Sequence, residues 1–192
     1  MFNPWAQRCD SETDPKGHIM RRERFLAHLS GPYPRILLIG EAAGYQGCRF
    51  SGIPFTSERL LLEGKIPRIP RLEKRITRRL RPWSEPSATI VWNTLYELNL
   101  AEYAVLFNAV PWHPAGKKGA FSNRAPTSDE KAASIRYLKR FLNLYPGISI
   151  AALGVTAHAA LDTLGRAHHR LRHPAYGGAT AFRDGLRRMV KT

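Results

Sequence analysis

The apolar runs of this chain are short, and each ends in glycine or in a polar, proline-rich turn. Ile36-Leu37-Leu38-Ile39 runs into Gly40-Glu41-Ala42-Ala43-Gly44. Tyr103–Val110 (YAVLFNAV) carries Asn108 near its end and meets Pro111-Trp112-His113-Pro114, while Ile148–Leu153 (ISIAAL) stops at Gly154. Short apolar runs bounded by turn signals predict strands buried on both faces, as in a parallel sheet. A fourth, shorter strand is predicted at His169–Arg172, followed by the loop His173-Pro174-Ala175-Tyr176-Gly177-Gly178. Helical patterns lie between these runs: Arg21–Leu29, Glu58 to Gly64 behind Thr56-Ser57, Ser87–Leu98, Thr127 or Ser128 to Leu144, Val155–Leu164 and Thr180–Val190. Strands alternating with helices predict an α/β fold, a three-layer α/β/α sandwich around a short central parallel sheet. Residues 1–192 are read as one domain, with a helical N-terminal extension over 1–32 and a basic insertion over 65–82. Residues 115–127 are read as a cationic loop.

Charge sharpens this picture. The 192 residues hold 30 Lys and Arg against 15 Asp and Glu, a net charge of +15. A surface this basic attracts polyanions, nucleic acid above all. Between Lys65 and Arg81 there are eight basic residues and one acid, Glu73, with Pro67, Pro70 and Pro82 bracketing a short predicted helix. That segment reads either as a solvated face or as an insertion gripping a phosphate backbone. No apolar run reaches the roughly 20 residues needed to span a bilayer, and the N-terminus lacks the order of a secretory signal. A cytoplasmic, monomeric protein is the expectation. Cys9 and Cys48 are read as plain thiols, since a disulfide is disfavoured in a reducing compartment. The seven histidines show no HExxH or comparable spacing, so no metal is expected.

Ligands of open α/β sheets bind beyond the C-terminal strand edge. There the sequence places Glu41, the glycines at 40, 44, 47 and 52, and the Pro54-Phe55 pair. Glycines admit close backbone approach and Phe55 offers a flat apolar face, so a planar polar molecule such as a nucleobase would fit. Asn108 would stand at the same edge; Asn is also frequent as a cap of the following turn, but after five mostly apolar residues it suits a pocket better. Gly154 and the amides after it would form a phosphate site at a helix N-terminus.

Three segments, GEAAG with GIPF, then FNAVPWHP, then RHPAYGG, together resemble the uracil-DNA glycosylase superfamily over roughly residues 33 to 190. The first is similar to the GEAPG…G-x-PF motif of its thermophile-type, iron–sulfur-bearing branch. The resemblance implies that Phe55 stacks on a flipped base and that Asn108 reads its Watson–Crick edge, donating to O4 and accepting from N3–H. It implies that His173 donates to O2 of the leaving uracil, and that Glu41 orients water or stabilises a positive sugar. Gly40, Ala42, Gly44 and Tyr45 would line the base pocket. Ser57, Gly154, Thr156, Arg172 and Tyr176 would meet the DNA. The implied activity is a monofunctional glycosylase that hydrolyses uracil from DNA and leaves an abasic site, with no metal or organic cofactor.

The partner implied is DNA carrying uracil or related deaminated bases, with no membrane. Many family members carry Asp or Asn where this chain has Ala42, and the motif's proline is Ala43. Gly44 replaces a tyrosine that in some strict uracil enzymes blocks the thymine methyl, so relaxed base specificity is implied unless Tyr45 substitutes. The cluster cysteines are missing, as in an atypical, cluster-free branch. Ala42 also supports a rival on the same fold, a non-catalytic binder of damaged or abasic DNA. A small-nucleotide protein of Rossmann type is a poorer match, because no G-x-G-x-x-G follows the first strand.

Overall fold

The computed structural model describes residues 1–191. In chain order its elements are α1 (Gly17–Ser30), β1 (Ile36–Ala42), α2 (Cys48–Ser51), α3 (Glu58–Leu62), α4 (Pro86–Glu97), β2 (Ala104–Val110), β3 (Ala115–Gly116), β4 (Gly119–Asn123), α5 (Ser128–Leu142), β5 (Ser149–Leu153), α6 (Val155–Thr163), β6 (His169–Leu171) and α7 (Ala179–Met189). A 3₁₀ turn over Ala101–Tyr103 leads into β2. Four strands form one parallel sheet in the order β2-β1-β5-β6. All four C-terminal ends therefore lie along one edge.

The side-chain period of a strand divides the core in two. Ile36, Leu38, Ala104, Leu106, Ala151 and Leu153 face a cluster with Val91, Trp92 and Leu95 of α4 and Phe182 and Leu186 of α7. Leu37, Ile39, Val105, Phe107, Ile150 and Ala152 face Leu138, Phe141 and Leu142 of α5 and Ala157 and Leu161 of α6. The result is the expected α/β/α sandwich. Both β1 and β2 are paired or packed on every side, which is why they read as continuous apolar runs.

Three local expectations are corrected. The first strand runs past Ile39 to Ala42, because Gly40 and Ala42 pair with Asn108 and Val110. Glu41 consequently sits on the strand's last turn of pleat, not in a free loop. Residues 115–127 contain the antiparallel hairpin β3-β4. Finally, no helix forms between Lys65 and Ser84.

The reason for that last difference is Glu58. Its buried carboxylate accepts from the N–H groups of Ile76 (2.8 Å), Thr77 (2.9 Å) and Trp83 (3.0 Å) and from the Thr77 hydroxyl (2.7 Å). Backbone donors spent on one carboxylate cannot also close helical turns, and Pro67 and Pro70 have none to give. Several arginines of the segment also turn inward. Arg68 reaches the carbonyls of His28, Pro32 and Glu102, Arg71 that of Leu62, and Arg78 that of Glu12.

The N-terminal residues brace the loop after β1. Trp5 donates to the Gly52 carbonyl (3.0 Å), and Arg24 donates to those of Ser51 and Phe50 (2.8 and 3.1 Å). Arg21, fully buried, ties Pro4, Gln7 and Glu12 together behind them. Among the described residues no helix is long and apolar enough to cross a membrane.

Candidate active site

The strand ends border a cleft of about 1060 Å³. Glu41, Ala42 and Gly44 form its β1 side, Gly154 and Leu153 its β5 side, and Arg172, His173 and Tyr176 the side beyond β6. Behind this lining, Gly40, Phe55 and Asn108 make a nearly closed inner group. Phe55 and Asn108 are 7% and 3% exposed. Had Gly40 a Cβ, it would stand 2.5 Å from Phe55 Cε2 and 2.6 Å from Asn108 Oδ1. Only glycine lets both side chains close over this point of the strand.

Each inner residue is fixed from below. Phe55 adopts φ +50°, an unfavourable backbone for a non-glycine residue. The buried Trp92 indole holds it there, donating to the Phe55 carbonyl at 2.8 Å. Asn108 is set by the β1–β2 register, paired with Gly40. Among the described residues, no protein group hydrogen-bonds the Asn108 side chain. A nearly buried amide offering a donor and an acceptor is thereby left for a ligand.

His173 stands over the Phe55 ring, with centroids 5.8 Å apart. Its Nδ1 accepts the Ala175 N–H at 3.1 Å, which leaves the ring proton on Nε2. Burial lowers its pKa, opposed by the nearby Glu41 carboxylate and aided by Arg172. A neutral imidazole with Nε2–H as donor follows. Glu41 has one carboxylate oxygen held by the Thr156 hydroxyl at 2.8 Å, across the gap between β1 and α6. The site thus offers a carboxylate, a neutral imidazole donor, a flat ring and an amide.

The other residues singled out in the sequence take varied positions. Tyr45 packs edge-on against Trp83, at 5.4 Å, and does not line the cleft. Ser57 is fully buried and its hydroxyl has no hydrogen-bond partner, so it forms no part of a phosphate-contacting surface. The Gly154 N–H is taken by the Leu171 carbonyl at 3.1 Å and is not free for an anion. Tyr176 is 99% exposed at φ +52°, projecting from the loop beyond His173. Trp112 packs edge-on against Tyr137 at 5.0 Å. His113 is fully buried between Arg49 and the Ser122 carbonyl.

Sequence reasoning missed Glu85, at the start of α4. Its carboxyl lies beneath the Gly44–Gly47 loop: a Cβ on Gly47 would come within 1.9 Å of Oε2, and one on Gly44 within 3.2 Å of Oε1. Oε1 accepts from the Ser87 hydroxyl at 3.1 Å, while Oε2 is buried and unpartnered. Burial pushes its pKa up to about 7. Asn123, the last residue of the unforeseen hairpin, and Arg124 after it also line the cleft, and Asn123 accepts the Tyr45 N–H at 3.0 Å. A carboxylate two residues after a tryptophan carries no sequence signal of that buried placement.

A family model described as the uracil DNA glycosylase superfamily matches residues 28–190. Among solved structures, the crystal structure of wild-type SMUG2 from Pedobacter heparinus is similar with a TM-score of 0.68 and 16% sequence identity. The match covers 99% of this chain and 86% of that one. At that identity the likeness is one of fold. No curated protein matches the chain.

Proposed function

The chain belongs to the uracil DNA glycosylase superfamily, and on that premise we propose that it is a monofunctional DNA glycosylase hydrolysing uracil from DNA. The observation that carries this reading is the unpartnered Asn108 amide beside the Phe55 ring, with His173 above it. The base is taken out of the stack and slides over Phe55. Asn108 donates to O4 and accepts from N3–H. Cytosine reverses that pattern and would leave buried polar groups mismatched.

As the N-glycosidic bond breaks, its electron pair goes to the base and positive charge grows on the sugar. The His173 Nε2–H donates to O2, where the negative charge accumulates. The Glu41 carboxylate, steadied by Thr156, stabilises the sugar cation and takes a proton from the water that attacks C1′. Uracil departs as an anion and is protonated in solvent, leaving an abasic site. Arg172 at the cleft, together with the chain's net charge of +15, supplies phosphate contacts.

A second reading rests on Ala42, a residue at the strand end whose methyl side chain can neither bind nor activate water. On that reading the chain binds damaged or abasic DNA without cutting the glycosidic bond. A single-turnover assay on an oligonucleotide with one uracil, followed by alkali, separates the two. Alkali-dependent cleavage, lost in Asn108→Ala, is the expected result. Salt-sensitive binding with no cleavage would replace the glycosylase reading with the binding one.

A further inference from the structure

We propose that His158, Asp162 and His168 form a site for one divalent transition-metal cation of the zinc class, which clamps α6 to the start of β6. The site lies outside the cleft and stands apart from the uracil chemistry. His158 and Asp162 are one helical turn apart on α6, so their side chains share a face. The chain then turns at Gly165, where φ is +61°, and brings His168 back against that face. The two imidazole rings end 4.8 Å apart. One ligand atom from each of the three residues lies within 4.8 Å of the others.

The hydrogen bookkeeping calls for a positive charge among them. His168 Nδ1 faces the Arg166 carbonyl at 2.7 Å and must donate to it, so His168 Nε2 carries a lone pair. That lone pair points at His158 Nδ1, 2.6 Å away, and lies 3.9 Å from Asp162 Oδ1. The other nitrogen of His158, Nε2, lies 3.0 Å from Asp162 Oδ2. A neutral His158 has one proton for two acceptors. Given to His168, it leaves a lone pair against the carboxylate; given to Asp162, it leaves two nitrogen lone pairs in contact. A second proton removes the conflict as the rings stand, and a cation removes it once the rings part so that the two nitrogens lie roughly 3.3 Å apart, as two bonds of about 2.0 Å require.

The surroundings favour the cation. A histidine ligand typically donates its second ring nitrogen to a carbonyl, as His168 does to Arg166. Two imidazoles and one carboxylate suit zinc, cobalt or nickel, not magnesium or calcium, which prefer oxygen. The His168 side chain is 5% exposed and that of Asp162 58%, so an ion would be held on one side and open to water on the other. The clamp would join the helix carrying Thr156 to the strand leading into Arg172 and His173. It would fix their spacing without touching the reacting atoms.

The test uses the full chain, stripped with a chelator and then freed of it, titrated with Co²⁺ and Zn²⁺ by calorimetry and visible absorption. One equivalent of Co²⁺ should bind with d–d absorption, Zn²⁺ should displace it, and the melting temperature should rise. Mg²⁺ should do none of this. His158→Ala and His168→Ala should abolish the absorption. Asp162→Asn, at an exposed position with little bearing on folding, should weaken binding at least ~10-fold. No binding by the wild type, with His158 found doubly protonated by NMR, would overturn the proposal in favour of an imidazolium. Equal binding by wild type and the double alanine variant, or equal binding of Mg²⁺, would overturn it too.

Discussion

Asn108 and Phe55 meet over the bare backbone of Gly40, where a single added carbon would lie within 2.6 Å of one and 2.5 Å of the other. Because β1 is paired on both sides, the strand cannot retreat to make room. Gly40→Ala should therefore displace both side chains while costing about 1–3 kcal/mol of overpacking. We expect uracil release to fall at least ~10-fold in single turnover, with a cooperative melt retained. An unchanged rate would separate these two residues from base recognition.

His173 is held as a neutral donor by the Ala175 N–H and by burial. His173→Ala should lower single-turnover uracil release by roughly 10²–10³-fold, with DNA binding little affected, as for loss of an oxyanion donor. The depressed pKa fixes the sign of the pH effect. The neutral ring contributes stability above the ordinary histidine value of 6.5, lost as pH falls through the lower folded value. Denaturant melts of wild type and His173→Gln, compared across acid pH, should diverge in that direction.

Glu85 gives the opposite slope. Its folded pKa of about 7 stands above the carboxylate value of 4.5, so the neutral form is the one the fold favours. That stabilisation is complete below pH 4.5 and is lost as pH rises through 7, amounting to at most about 3 kcal/mol. Glu85→Gln should flatten the decline in stability between pH 6 and pH 8. A wild-type protein equally stable at both would show that the carboxyl is hydrated beneath the Gly44–Gly47 loop.

Glu58 organises the basic segment that follows it. Its bonds to Arg75, Thr77 and the backbone outweigh the burial penalty, so its pKa is lowered and the carboxylate stays charged. Glu58→Ala would orphan three buried N–H groups, at a cost of about 3 kcal/mol or more. Residues 65–82 should then become sensitive to trypsin while the sheet persists. Resistance equal to wild type would mean that the inward-facing arginines alone hold the segment.

The strand ends were legible because burial on both faces leaves an unbroken apolar run with a polar residue only where the edge begins, as at Asn108. The pairing of Gly40 with Asn108 was not legible, since register depends on a partner distant in sequence. The hairpin Ala115–Asn123 escaped because it is too exposed for apolar alternation to mark it. In the basic segment, composition reported charge but not direction: Arg68, Arg71 and Arg78 spend their guanidinium groups on carbonyls inside the chain. Glu85 and the His158–Asp162–His168 cluster were hidden for different reasons. Glu85 meets a loop some forty residues away in sequence, and His168 reaches the His158–Asp162 face only through the turn at Gly165, so neither arrangement follows a familiar motif spacing.

The all-parallel order β2-β1-β5-β6 also has a kinetic side. No two of its strands can pair through a tight turn, so every pairing waits for a long crossover to be made, the slow kind of folding. Synthesis supplies Phe55 and Asn108 well before β6 and its loop, and α7, which packs against β6, comes last. Under the proposed function, a chain still being synthesised would hold Phe55 and Asn108 before His173 is secured, and the site would be complete only once β6, its loop and α7 have all docked.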